Sequence, residues 1–160
     1  MKSGKGKGNK RKHITDAQRV KRVQPLLNYW VDRLGTGGTW HISYRFKAEI
    51  NDHKVFAETY QNLPYHKGTV IFDSVCVDAA TKEELESAVI HELMHLLLSP
   101  MGECLHSQFG NTGYVGKILD DAQEECCENL AEALMHLRYG HNRAYHDPLL
   151  FSDVVAVPES

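Results

Sequence analysis

His91-Glu92-Leu93-Met94-His95 constrains this chain more than any other stretch. In an α-helix, residues four apart lie on one face, so a helix through residues 91–95 aims two imidazoles at one point. Glu92 follows about 100° further round, within reach of a water held between the histidines. Two neutral imidazoles suit Zn²⁺, which takes a third protein ligand and keeps a fourth position open when it is catalytic. The chemistry such a spacing serves is metal-assisted hydrolysis, most often of a peptide bond.

Five residues recur by chance, and an amphipathic helix that carries two histidines and a glutamate without a metal is the plain alternative. The neighbouring residues argue against it. Thr81 and Glu84 form a capping box that opens a helix. Leu85, Val89, Ile90, Leu93, Leu96 and Leu97 cover the side opposite the histidines, and Ser99-Pro100 is expected to end the run. A helix apolar round most of its circumference is buried, and polar groups on its remaining strip need partners. A metal ion supplies them.

At 160 residues the chain fits one domain with a real core, and 42% apolar with 24% charged residues is the balance of an ordinary globular protein. No apolar run approaches the roughly 20 residues of a membrane span. Met1-Lys2-Ser3-Gly4-Lys5 lacks the apolar segment of a secretion signal, which predicts a cytoplasmic protein with its four cysteines reduced. Cys126 and Cys127 read as two small buried residues of a helix. Residues 1–22 carry nine Lys/Arg against one acid, a net +8, and the other 138 residues carry nine against twenty, a net −11. Residues 1–14 are expected to form a disordered basic tail, and the +8 segment offers nucleic acid at most a weak electrostatic contact, because no aromatic residue interleaves with its lysines.

Residues 15–146 are expected to form the domain and 147–160 an extended tail. A first helix is predicted over Thr15–Leu34, with a Thr15/Gln18 capping box, a stripe of Val20, Val23, Leu27, Trp30 and Leu34, and a kink or new helix at Pro25. Residues 39–50 alternate like a strand, Val55–Gln61 reads as its antiparallel hairpin partner, and Thr69–Val77 as a third strand. Gly116–Gly140 reads as a long helix. The order of elements predicts an α+β fold: an N-terminal helix, a sheet of three or more strands, the helix of His91 and His95, and a C-terminal glutamate helix.

The long helix offers the third ligand. Taking Cys127, Leu130, Ala131, Leu134 and Leu137 as its buried face puts Glu124 at the rim, Glu125 and Glu132 toward solvent, and Glu128 one turn after Glu124. Glu124 is the leading candidate, with Glu128 placed to orient a ligand histidine from outside the metal's own shell. His106, eleven residues after His95, is the rival ligand. His106, Tyr114 and His141 are unranked candidates for an oxyanion donor.

His91-Glu92-Leu93-Met94-His95 followed by Glu124-Glu125-Cys126-Cys127-Glu128-Asn129-Leu130-Ala131 resembles the gluzincin arrangement of zincin metallopeptidases, in which a glutamate on the next helix completes the metal site. Glu124–Ala131 resembles the signature of ImmA/IrrE-type proteases, and residues 69–137 are similar to small metallopeptidase-like proteins encoded by bacteriophages; a fainter similarity is to SprT-like proteases, which use three histidines. Glu128 stands where the first group carries Asp or Asn. The resemblance implies a minimal zincin core, one Zn²⁺ per chain held by His91, His95 and Glu124, Glu92 as general base, and a protein or peptide substrate lying as an added strand along the sheet edge. If the chain is phage-encoded, it implies the host cytoplasm. The competing expectation is a catalytically inactive protein of the same fold that binds a partner, nucleic acid among the options.

Overall fold

A computed structural model describes residues 14–51, 55–110 and 113–140. The expectations for the basic tail, for residues 147–160 and for His141 fall outside these residues. The fold is α+β, with α1 (Asp16–Arg33), a 3-10 turn (Thr36–Gly38), β1 (His41–Lys47), β2 (Ala57–Asn62), a 3-10 turn (Leu63–Tyr65), β3 (Lys67–Asp73), α2 (Ser74–Ala79), α3 (Lys82–Phe109) and α4 (Gly113–Tyr139).

The three strands form one sheet in the order β1-β3-β2. β1 runs parallel to β3, pairing Tyr44 with Val70, and β2 runs antiparallel to it, pairing Thr59 with Val70. The expected hairpin between the first two strands is therefore not formed, and the third strand lies between them. Composition explains the order. β3 carries the consecutive buried residues Val70, Ile71 and Phe72, a run that suits a strand covered on both faces and bonded on both edges. β1 alternates and β2 is mostly polar, which suits the edges. β3 also ends earlier than Val77. The buried Asp73 carboxylate accepts from the N–H groups of Val75 and Cys76, capping α2, and it also accepts from Ile50 N–H at 2.9 Å, which ties down the chain beyond β1.

Both capping boxes form, at Thr15/Gln18 and Thr81/Glu84. Neither proline breaks its helix. Pro25 and Lys21 are exposed, so the Lys21 carbonyl that loses an N–H partner faces solvent and α1 runs through without a second start. Pro100 deprives the Leu96 carbonyl in the same way, but Ser99 Oγ donates to it at 2.9 Å. α3 therefore continues to Phe109 instead of stopping at Ser99-Pro100.

The core lies between the helix-facing side of the sheet, α1 and α3, with Val23, Leu27, Trp30, Val70, Phe72, Leu85, Val89, Leu93 and Leu96 at its centre. α4 packs along α3 through Cys127, Ala131 and Met135. Its buried stripe is rotated from the expected one: Leu130 is 42% and Leu137 82% exposed, and Cys126 is also exposed. On α3, Leu97 is exposed rather than part of the buried side.

Candidate metal centre

Close approach of the sheet to α3 sets the position of the site. A β-carbon on Gly68 of β3 would lie 2.8 Å from the δ-carbons of the buried Leu96, so glycine lets the helix sit down on the strand one residue past His95. On the far side, a β-carbon on Gly102 would lie 2.5 Å from Oε1 of Gln123 on α4, next to Glu124. His91, Glu92 and His95 are thus held between the β2 edge and α4, in a cleft of about 570 Å³ lined by residues 55–60, Ala88, His91, Glu92, His95 and Glu124.

Four polar atoms of three side chains converge there. His91 Nε2 and His95 Nε2 are 3.0 Å apart. One oxygen of Glu124 lies 3.4 Å from His91 Nε2 and the other 3.5 Å from His95 Nε2. The imidazoles meet edge to face, with centroids 4.8 Å apart. Ligands about 2.0–2.1 Å from a tetrahedral zinc stand roughly 3.3 Å from one another, and the separations here are of that size. The donor set of two imidazoles and a carboxylate fits zinc on chemistry as well. Burial is the main force that lowers the His95 pKa, Glu124 opposes it and His91 adds to it; the low value favours the neutral ring that a ligand must be. Among the described residues, His91, His95 and Glu124 are the one set of three such donors close enough to share an ion.

Glu92 is 5% exposed and lines the same cleft, with one oxygen bonded to the sheet. Thr59 Oγ1 on β2 donates to its Oε2 at 2.7 Å and also lies 3.3 Å from its backbone carbonyl. Burial pushes the Glu92 carboxyl up to about 7, the Thr59 bond pulls it back, and the nearby Glu124 and Glu58 carboxylates add to the rise. A cation at the convergent set would act against that rise.

The remaining candidates are not brought to this point. His106 lies eleven residues on, about 16 Å along the helix axis at 1.5 Å per residue, and its Nε2 is 3.1 Å from Asp120 Oδ1. Tyr114 is 81% exposed and outside the cleft, and Glu125 is exposed. Glu128 is exposed and borders a neighbouring groove with His91, Glu83 and Glu84. The polar contacts of the two histidines are with each other, Glu124 and Cys127. The face of α4 turned to α3 carries Cys127, and Glu128 follows about 100° round. Cys127 Sγ sits 3.6 Å from His95 Nδ1, fully buried, and burial together with Glu124 and Cys126 holds its thiol pKa up at about 12.

Thr59 and Cys127 are the site residues that sequence reasoning misses. Thr59 shares the helix-facing side of β2 with the buried Ala57, a signal that becomes readable only once β2 is known to border α3. Cys127 stands three residues after Glu124, a helical neighbour spacing, but it reads as a small core residue.

No protein-family model, no curated protein and no solved structure matches this chain.

Proposed function

We propose that the protein is a zinc-dependent peptide-bond hydrolase of the gluzincin kind, with one Zn²⁺ per chain held by His91, His95 and Glu124. The observation that carries the reading is the convergence of these side chains at 3.0, 3.4 and 3.5 Å, with a buried carboxylate, Glu92, beside them. A zinc ion there would supply a Lewis acid that acidifies water toward pH ~7 and polarises the scissile carbonyl. Glu92 accepts the proton of the attacking water and delivers it to the leaving amine. Thr59 holds one Glu92 oxygen, which leaves the other free for the proton. β2 is an edge strand bordering the cleft, so an extended peptide can pair with its outer edge and cross the site. No helix of the described residues is long and apolar enough to cross a membrane, and the reading requires none.

The test is cleavage of a degenerate peptide library and of unfolded protein chains. Hydrolysis is expected with zinc, lost on chelation and restored by added zinc. Glu92→Gln is expected to keep zinc and lose hydrolysis. Cleavage by Glu92→Gln at the native rate would contradict the proposal.

A further inference from the structure

His95 presents two nitrogens in different directions. Nε2 belongs to the convergent set, 3.0 Å from His91 Nε2 and 3.5 Å from Glu124. Nδ1 points away from that set, at the sulfur of Cys127 3.6 Å off. A neutral imidazole that ligates through Nε2 carries its proton on Nδ1, and a donor enclosed by protein needs an acceptor. The sulfur is the polar atom that faces it, and the distance suits sulfur better than oxygen, whose bonds are shorter. Cys127 itself is fully enclosed, on the stripe with Ala131 and Met135 that packs α4 onto α3.

We propose that Cys127 is a positioning residue for the metal centre: its sulfur accepts the Nδ1–H of His95, fixing the tautomer and the ring angle that aim Nε2 at the ion. The role rests on the reading of His91, His95 and Glu124 as a zinc site. It gives α4 two tasks on one face. Glu124 contributes a ligand, and Cys127, three residues on, steadies a ligand that belongs to α3. The sulfur lies on the Nδ1 side of the ring, away from Nε2, so it orients a ligand and is not one. An acceptor this soft does the work that a carboxylate or carbonyl does for most zinc-bound histidines.

The experiment uses the full chain, native and with Cys127→Val, which fills the space without an acceptor; Cys127→Ala replaces it should the valine variant fold poorly. Zinc affinity is measured by competition with a chromophoric chelator. The His95 ring is followed by long-range ¹H–¹⁵N correlation in the zinc-loaded protein, and cobalt(II) replaces zinc for absorption spectra. The variant is expected to bind zinc about tenfold more weakly, the lower end of what loss of such a partner costs. Its Nδ1–H signal is expected to shift and exchange faster, and neither cobalt spectrum is expected to show thiolate-to-metal charge transfer. Native affinity together with an unchanged Nδ1–H signal would overturn the role. So would a charge-transfer band lost in the variant, which would make Cys127 a ligand. Native protein that takes up no zinc would overturn the zinc reading and this role together, whereas native binding with an indifferent variant would overturn this role alone.

Discussion

Glu124 reaches both histidines, one oxygen to each, although its side chain is 58% exposed. An exposed carboxylate gains little from a histidine that is uncharged, so the arrangement is strong only around a cation. Glu124→Ala is therefore expected to weaken zinc binding by more than about 100-fold, beyond the 10–100-fold that loss of an outer partner costs. His106→Ala is expected to leave it unchanged; isothermal titration of both variants checks this. Thr59 acts on a different quantity. Thr59→Val removes the donor at 2.7 Å from Glu92, and a hydrogen bond to a charged group contributes about 1.5–3 kcal/mol. The expected result is kcat at least about tenfold lower, since 1.36 kcal/mol is tenfold in rate, with zinc content intact. The nearness of His91, His95 and Glu124 was legible in the sequence, because i, i+4 histidines share one face of a helix and Glu124 falls at the rim of the buried face of the next one. Thr59 and Cys127 were not, because a strand threonine and a helix cysteine gain meaning only from what packs against them.

The longer reach of α3 comes from one hydroxyl. Ser99, 1% exposed, supplies the Leu96 carbonyl with the donor that Pro100 lacks. Ser99→Ala is expected to destabilise the protein by about 1–3 kcal/mol by leaving that carbonyl unpartnered. Pro100→Ala in the same background restores an N–H and is expected to recover part of the loss, as urea denaturation would read. Equal stability of Ser99→Ala and the native chain would contradict this explanation. Helix starts were easy to read, because Thr15/Gln18 and Thr81/Glu84 signal locally. The stop at Pro100 was misread because the rescue is a side-chain bond that the proline rule ignores. The strand order was misread for another reason. Adjacent alternating segments favour a hairpin, but the apolar run of β3 takes the central place whatever its position along the chain.

Three helices meet at a buried carboxylate that the sequence did not mark. Glu86 is fully buried and accepts from Trp30 Nε1 of α1 at 2.8 Å and from the Tyr139 hydroxyl of α4. Arg138 Nη1 lies 2.9 Å from it as an ion pair without hydrogen-bond alignment, while the guanidinium stacks on Tyr29, 3.8 Å from the ring centroid. In sequence Glu86 is one more acid just after the acidic first turn of α3; its burial depends on Trp30 and Tyr139, each more than 50 residues away in the chain. Glu86→Ala is expected to cost about 3 kcal/mol by stranding those donors, measured as the free energy of unfolding. This junction holds α4 against α3, and with it Glu124 against His91 and His95, in an α+β fold that was legible from the order of its elements. Anomalous scattering from a crystal of the zinc-loaded protein would locate the ion. One zinc per chain is expected, bonded to Nε2 of His91 and His95 and to a Glu124 oxygen at roughly 2.0–2.2 Å. Zinc found on His106, or a Glu124 turned to solvent beside a metal-free histidine pair, would contradict the assignment.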